Sequence, residues 1–456
     1  MNVCPKLRQA ATYPPAFEEI PVARLANLIA NRRLSSREVA SACLARIDAV
    51  NPVLNAVVQL RAEAALAEAD AADLDLARGE VRGPMHGVPF TVKDWIDAAG
   101  LPCTGGTLEY RDRIPARDAT VVARMRAAGG ILLGKTNVGM KNDVYGRTTN
   151  PYDPRYSPAG SSSGEAAIIA AGGSPLGLGS DSGGSIRQPA HCCGVAGLKP
   201  TSGRVPLTGH FPFISPALDP RTVIGPLARH VEDLALALVI IAGIDWEDAS
   251  VMPVPLRDMG DAHLPGTRVA LYIDHPGFTP DPDVVATTRA AALALADAGL
   301  RVEEAIPPGV EDVYPITLNY WRRPESDSPD EWVKGGTRDP AGLGPMTTAE
   351  QVERSLFEWD RLRRRMLPFI ASYPLVLSPA AEKPAVAHGE HPGDIPYTLT
   401  WSLVGYPAVV VRAGTSGAGV PIGVQIAAAP WREDLALAAA ATVERAMGGW
   451  SAPAPD

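Results

Sequence analysis

Apolar and polar positions alternate along this chain in two rhythms, one typical of helices and one typical of strands. From Val22 to Val50 the apolar residues recur every three or four positions, and the S-S-R-E of 35–38 matches a capping box. This pattern predicts helix, which we expect to end at Asn51-Pro52 because proline interrupts helices. Val88 to Val92 is a short apolar run that predicts a buried strand.

The same signals recur further along the chain. A helix is predicted for 119–128 and a strand for 131–133. Strands at 269–273 and 300–303 flank an alanine-rich helix at 283–298, which is the order of a right-handed crossover between parallel strands. This alternation predicts an α/β protein whose sheet is covered by helices.

The region 305–395 differs in texture from the rest of the chain. It is rich in proline, glycine, tryptophan and charge, and it contains one predicted helix around 350–367. Because helical and aromatic content persists through it, we predict a lid or substrate-facing insertion rather than a linker.

Composition excludes several classes of function. With 46% hydrophobic and 20% charged residues the chain has the values of a globular protein, and its net charge of −9 offers no basic field for a nucleic acid. The cysteines show neither metal-ligand nor paired spacing, which favours a reducing compartment. The N-terminal segment lacks the apolar core of a signal peptide, and no stretch reaches the roughly 18 apolar residues of a membrane helix. We expect a soluble, cytoplasmic protein.

The stretch from Ser157 to Pro200 concentrates glycine and serine around apolar elements. The GSSSG of 160–164 precedes a helical run, and the DSGGS of 181–185 follows a short predicted strand at 176–178. Paired glycines allow tight turns, and successive N–H groups in such a turn can hold an oxyanion. Ser185, at the end of the second turn, is therefore a candidate nucleophile. The alternative is that these residues only cap helices and fill turns.

Lys93 directly follows the apolar run VPFTV, in a chain that has only seven lysines. Arginine cannot act as a base, whereas a desolvated lysine can lose its charge near neutral pH. Lys93 is therefore a candidate general base. The alternative is a structural ion pair with Asp94 or Asp97.

Other designs of serine hydrolase fit this sequence less well. G-x-S-x-G occurs at 160–164, but the segment before it is not a strand, as a nucleophile elbow requires, and Ser-x-x-Lys does not occur. His191, six residues from Ser185, is expected to pack or cap rather than react.

Taken together, these segments resemble the amidase signature family. GVPFTVKDWIDAAGLPCTGGT is similar to the family's lysine segment, and AGSSSGEAA through SDSGGSIRQPA is similar to its signature. GVAGLKPTSGRVP, IGPLARHVEDLALAL, GYPAVVV and GVPIGVQI continue the resemblance over nearly the whole chain. It places Lys93, Ser161 and Ser185 in the catalytic positions.

The resemblance implies a fold and a division of the chain. The fold is one large α/β domain, 1–456, with a mixed twisted β-sheet covered by helices on both faces. Within it we expect an N-terminal helical part at 22–80, the signature core at 81–235 and the variable lid at 305–395. The resemblance implies neither cofactor nor metal, and it implies a cis peptide bond before Ser161.

It also implies a mechanism. Neutral Lys93 takes the proton of Ser161 while Ser161 takes that of Ser185, which attacks the carbonyl carbon. The expected oxyanion hole consists of backbone N–H groups, those of Ser182, Gly183, Gly184 and Ser185.

Neighbouring residues receive supporting roles on the same grounds. Ser162 is expected to hydrogen-bond Lys93, and Asp181 and Arg187 are expected to pair and fix the nucleophile turn. Two residues depart from the family pattern: Ala159 and Ser163 stand where glycine is usual, which tilts the loop without removing a reactive group.

Substrate preference is predicted only in outline. The aromatic residues of the variable region and its neighbourhood favour an apolar or aromatic substrate: Tyr314, Tyr320, Trp321, Trp332 and Trp401, with the pair Leu403-Val404. His388 and His391 form H-x-x-H in a proline-rich loop, where a metal site is not favoured.

We therefore expect an enzyme that hydrolyses small non-peptide amides, including anilides as an aryl acylamidase does, with carbamates (urethanase activity) and esters as further substrates. It would act as a monomer or homodimer, without nucleic acid or membrane. One alternative is the glutamine-hydrolysing A subunit of a tRNA-dependent amidotransferase, although 136–151 lacks the Glu-Phe-Ala/Met-Gly string common there. A second is a non-catalytic binding protein.

Overall fold

The computed structural model describes residues 20–139, 142–214, 219–321 and 348–453. Within these ranges the strands are β1 Val57–Leu60, β2 Pro89–Lys93, β3 Ile131–Thr136, β4 Leu176–Asp181, β5 Ala196–Lys199, β6 Val223–Ala228, β7 Arg268–Leu271, β8 Arg301–Glu304, β9 Leu375–Pro379, β10 Ala408–Thr415 and β11 Pro421–Ala428. The helices are α1 Val22–Ala30, α2 Ser36–Leu54, α3 Ala62–Ala77, α4 Thr120–Ala127, α5 Ser163–Ala170, α6 Arg187–Cys193, α7 Val231–Ile241, α8 Pro282–Asp297, α9 Val313–Trp321, α10 Ala349–Ser372, α11 Pro396–Val404 and α12 Glu433–Met447.

All of these strands belong to one mixed sheet, in the order β1-β3-β2-β4-β6-β5-β10-β11-β9-β7-β8. The strands β3, β2 and β4 run parallel to one another, as do β9, β7 and β8, while the other neighbours are antiparallel. This arrangement confirms the predicted fold class. No helix within the described ranges is both long and apolar enough to cross a membrane.

Alternation within the strands shows how helices cover both faces of the sheet. In β10, Val409 and Val411 pack in the same apolar cluster as Leu437 of α12, whereas Val410 packs with Ile168 of α5. Successive side chains of a strand point to opposite faces, so α12 and α5 lie on opposite sides of the sheet.

The N-terminal helical pattern divides into two helices. The predicted capping box is confirmed, because the Ser35 hydroxyl accepts from the Glu38 amide at the start of α2. The predicted end at Asn51-Pro52 is wrong, since α2 continues to Leu54 with Pro52 inside it. Proline removes one helical hydrogen bond there, while the Asn51 side chain accepts from the amide of Ala56 at 2.8 Å and fixes the chain beyond the helix.

The remaining predicted elements are confirmed with small shifts of their ends, and six strands of the described ranges are additional: β1, β5, β6, β9, β10 and β11. The predicted crossover is β7, α8 and β8, with β7 and β8 parallel, and the helix predicted around 350–367 is α10. Sequence analysis did not predict β9, which lies buried between β11 and β7. The segment assigned to the variable lid therefore also supplies a strand of the core.

The parallel pairing of β2 with β4 positions the candidate site. Val92 lies opposite Leu178 in the register of the two strands. Because parallel strands end at the same edge of a sheet, Lys93 at the end of β2 lies close to Ser180 and Asp181 at the end of β4.

Candidate active site

Lys93 is fully buried and is surrounded by oxygen atoms. Its Nζ lies 2.6 Å from the Ser161 hydroxyl, 3.1 Å from the Ser180 hydroxyl and 3.3 Å from the Ser180 carbonyl oxygen. The indole ring of Trp95 lies 4.2 Å from the same nitrogen. Complete burial disfavours a charge on this side chain, while the oxygens and the ring stabilise one when it forms.

The carboxylates that the sequence offered to Lys93 as structural partners are bound by other cations. Asp94 lies 3.7 Å from Lys135, and Asp97 forms an ion pair with Arg113 at 2.7 Å. The structure therefore places Lys93 with the serines of the central stretch.

Ser161 lies in a loop that is hydrogen-bonded directly to the turn at 181–185, which carries the candidate nucleophile Ser185 and is called the nucleophile turn. The peptide bond before Ser161 is cis, as the resemblance implied. The Ser161 carbonyl accepts from the Gly139 amide at 2.8 Å, and the Ser162 amide donates to the Ser185 carbonyl at 3.0 Å. Ala159 has a φ of +58°, in the left-handed region where glycine is usual in the family. The structure thus brings Ser161 to Lys93 and binds the backbone of Ser185 to the neighbouring loop, and the catalytic roles of the three residues remain a prediction.

Asp181 and Arg187 form the predicted pair, and both side chains are fully buried. The Asp181 carboxylate accepts from the amides of Gly184 at 2.8 Å and Ile186 at 3.0 Å, and from Arg187 Nε and Nη2 at 3.0 and 2.9 Å. Burial raises the pKa of Asp181, but the Arg187 charge and the donated hydrogen bonds outweigh burial and hold the pKa at about 2. The pair therefore stays ionised and fixes the turn.

Arg187 also connects this turn to helix α11 and strand β11. Its guanidinium donates to the Thr398 carbonyl at 2.8 Å, to Gln425 Oε1 at 2.8 Å and to Ser402 Oγ at 2.7 Å. A planar guanidinium with five N–H donors suits a buried junction of this kind.

The glycines of the turn are required by its packing. Gly184 has a φ of +140°, and a Cβ there would lie 2.7 Å from Thr398 Oγ1. That hydroxyl donates to the Gly183 carbonyl at 2.7 Å. The turn therefore passes so close to α11 that a side chain at 184 would displace it.

The backbone N–H groups of the turn differ in availability. Of the four predicted oxyanion donors, Gly184 already donates to Asp181. The amides of Ser182, Gly183 and Ser185 have no acceptor within the ranges that the structure describes. Unengaged donors fixed in a rigid turn are what an oxyanion hole needs, and the assignment of these amides to one remains a prediction.

Ser180 and His210 are site residues that sequence analysis missed. The Ser180 hydroxyl lies between Lys93 Nζ and His210 Nε2, at 3.1 and 3.0 Å. Ser162, predicted to bond Lys93, donates to the Ser180 carbonyl oxygen at 3.3 Å. The parallel pairing of β2 and β4 was the only signal for Ser180, and no local signal identifies His210.

Glu165 is a third such residue, fully buried on α5. Its carboxyl group accepts from Thr91 of β2 and, at 2.7 Å, from Thr136 of β3. Burial raises its pKa to about 7, although hydrogen bonds from Thr91 and Thr136 and the charge of Lys93 oppose the rise. Glu165 therefore joins the two strands beside the candidate base.

The structure describes the side chains of only some of the residues that were predicted to face the substrate. Trp401 and Leu403 are fully buried and Val404 nearly so, in an apolar cluster of the core, so their prediction as substrate-facing residues is wrong. Tyr314 is half-buried and donates to Asp394 at 2.6 Å. Trp332 and the side chains of Tyr320 and Trp321 lie outside the described residues.

His191 and His391, which the sequence analysis considered, both make hydrogen bonds to the backbone. His191 is buried, with Nδ1 and Nε2 each 3.0 Å from a backbone carbonyl oxygen, of Gly423 and Lys383 respectively, and burial lowers its pKa. His391 Nδ1 accepts from the Gly393 amide at 3.2 Å. In the described part of the chain, no group of three or more His, Cys, Asp or Glu side chains is placed to hold a metal.

Comparison with known families agrees with this geometry. The sequence profile of the family described as Amidase matches residues 38–327 and 341–437. This chain belongs to the amidase signature family. The protein is therefore an amide-hydrolysing enzyme.

Relatives of this amidase differ in the substrates that their names state. The acylamidase of Rhodococcus erythropolis is 34% identical over 94% of this chain and 96% of its own length. The A subunit of the glutamyl-tRNA(Gln) amidotransferase of Moorella thermoacetica is 33% identical over 92% of this chain and 95% of its own. The structure of 6-aminohexanoate cyclic dimer hydrolase complexed with substrate superposes with a TM-score of 0.82 at 28% identity, covering 96% of this amidase and 99% of that chain. The family membership fixes the class of bond cleaved, and the substrate is a separate question.

Proposed function

We propose that this amidase hydrolyses small non-peptide amides, including anilides, with carbamates and esters as further substrates. The observation that carries the proposal is the contact of 2.6 Å between Lys93 Nζ and Ser161 Oγ in a fully buried position. The Ser162 amide bonded to the Ser185 carbonyl holds the second serine beside this pair.

Acylation follows from that arrangement. Neutral Lys93 accepts the Ser161 proton as Ser161 accepts that of Ser185, whose Oγ forms a bond to the carbonyl carbon. The carbonyl electron pair moves to oxygen, where the available N–H groups of the turn stabilise it. The carbon–nitrogen bond then breaks, and the proton held on Lys93 returns through Ser161 to the leaving nitrogen.

Deacylation repeats the sequence with water. The relay takes one proton of the water while its oxygen adds to the ester carbon on Ser185, and collapse returns that proton to Ser185 Oγ and releases the acid. The sum is one amide and one water converted to one acid and one amine. Anilides, activated carbamates and esters share the tetrahedral intermediate, and their leaving groups require less help from the acid.

The proposal is tested by assaying purified protein, without partners, on a p-nitroanilide and a p-nitrophenyl carbamate. We expect release that disappears in Ser185→Ala and Lys93→Ala and persists in Lys383→Ala, a control that removes an exposed lysine. The ratio of the two rates measures amidase against urethanase activity. Release that survives in Ser185→Ala would contradict the proposal.

The glutamine-hydrolysing A subunit of an amidotransferase is a second candidate, supported by the Moorella thermoacetica relative. That function predicts hydrolysis of glutamine that depends on partner subunits and tRNA. Glutaminase activity appearing only after addition of such partners, with no release from the chromogenic substrates, would favour it over the independent hydrolase.

A further inference from the structure

His210 is brought to the site by the loop that follows β5. The Asp97 amide donates to the Gly209 carbonyl at 2.9 Å, and the Phe211 amide donates to the Trp95 carbonyl at 2.7 Å. These bonds fix the loop against the segment that leaves β2 just after Lys93. The His210 side chain is almost fully buried there, so its ring has a defined orientation.

The contacts of the ring determine which nitrogen carries the proton. His210 Nδ1 lies 3.0 Å from the Pro212 carbonyl oxygen, which can only accept, so Nδ1 is the donor. In the neutral ring Nε2 is then an acceptor, and it lies 3.0 Å from Ser180 Oγ. The Ser180 hydroxyl therefore gives its single proton to His210, and toward Lys93 its oxygen can only accept.

This direction decides how neutral Lys93 is oriented. An uncharged amine has two N–H donors and one lone pair. The carbonyl and hydroxyl oxygens of Ser180, at 3.3 and 3.1 Å from Nζ, accept the two N–H groups. The lone pair is then directed to Ser161 Oγ at 2.6 Å, whose proton it must receive.

We propose that His210 is a positioning residue for the reaction: by orienting the Ser180 hydroxyl, it turns the lone pair of Lys93 toward Ser161. Without this acceptor, Ser180 can donate its proton to the lone pair and compete with Ser161. The inference rests on the proposed role of Lys93 as base, and it predicts a loss of rate rather than of binding.

Two substitutions of His210 separate orientation from bulk. His210→Gln places a carbonyl oxygen near the position of Nε2 and keeps an acceptor for Ser180. His210→Asn has a shorter side chain, which can still donate to the Pro212 carbonyl oxygen but no longer offers an acceptor to Ser180. We measure the rate and affinity of labelling by a fluorophosphonate, which reports Ser185 reactivity whatever the natural substrate, together with the melting temperature of each variant.

We expect His210→Asn to lower the maximal labelling rate by about tenfold, the equivalent of one hydrogen bond, with the affinity for the probe unchanged within about twofold. His210→Gln should stay within about threefold of the unsubstituted protein. In a Ser180→Ala background, His210→Asn should have no further effect, because there is no hydroxyl to orient.

Equal rates for the Asn and Gln variants, or the same tenfold loss in the Ser180→Ala background, would overturn the assignment. If His210→Asn is too unstable to assay, His210→Leu, which keeps bulk and loses both nitrogens, replaces it with the same two outcomes. Failure of the unsubstituted protein to label at Ser185 would instead contradict the proposed function.

Discussion

Asp181→Asn should both destabilise the protein and slow the reaction. The substitution leaves the fully buried Arg187 charge without its counter-ion, and it presents an NH2 group to N–H donors that now point at a carboxylate. Removing one partner of a buried pair costs about 3–5 kcal/mol. The fall of the Asp181 pKa from 3.8 to about 2 corresponds to about 2.4 kcal/mol, at roughly 1.36 kcal/mol for each pH unit, which is a little below that range.

The free energy of unfolding at pH 7, measured in urea, should therefore fall by about 3 kcal/mol. Because the pKa is depressed in the folded protein, the stabilisation is present above the unfolded value of 3.8 and is lost as the pH falls toward about 2, so the variant and the unsubstituted protein should converge there. Labelling of Ser185 should slow by about 100-fold, because a displacement of about 1 Å in the turn costs that much.

Asp360→Asn is the matched control. Asp360 accepts from Arg364 at 2.6 Å on the exposed face of α10, where solvent screens the pair. We expect no measurable change in its stability or labelling. Asp181→Asn behaving like this control would refute the reasoning that the buried pair fixes the nucleophile turn.

Two further predictions concern single side chains near the site. Gly184→Ala places a Cβ 2.7 Å from Thr398 Oγ1 at a φ of +140°. It should lower the free energy of unfolding in urea by about 1–3 kcal/mol and remove most of the activity. The control Gly243→Ala, also at positive φ but with no atom within 4 Å of the added Cβ, should keep the activity. The pKa of Glu165 is about 7 in the folded protein, against 4.5 when unfolded. Its contribution to stability is therefore present below pH 4.5 and is lost as the pH rises to 7. Glu165→Gln should flatten the pH dependence of urea unfolding in that window, and an unchanged slope would count against a protonated Glu165.

The residues proposed to react could be identified from the sequence because their signals are local. Lys93 ends a run of apolar residues, and Ser161 and Ser185 lie in glycine-containing turns that few other functions require. The Asp181–Arg187 pair was predictable because both residues flank the same turn. Short segments with strict backbone requirements carry their information in adjacent positions.

Residues that reach the site through tertiary structure were not predictable. Ser180 contacts His210 across 30 positions of sequence, and only the pairing of strands and the course of the loop after β5 bring them together. Trp401 shows the opposite failure, because a tryptophan in a variable region has the same composition signal whether it lines a pocket or fills the core, as it does here. Sequence patterns give type and periodicity of residues, and burial is decided by packing.

The most direct test of the account is to locate the covalent adduct of a fluorophosphonate by peptide mass spectrometry and to time its formation. The account predicts an adduct on Ser185 that is absent in Ser185→Ala and forms at least about 100-fold more slowly in Lys93→Ala and Ser161→Ala, as expected when a general base is lost. An adduct on another residue, or labelling of Ser185 at an undiminished rate without Lys93, would contradict it.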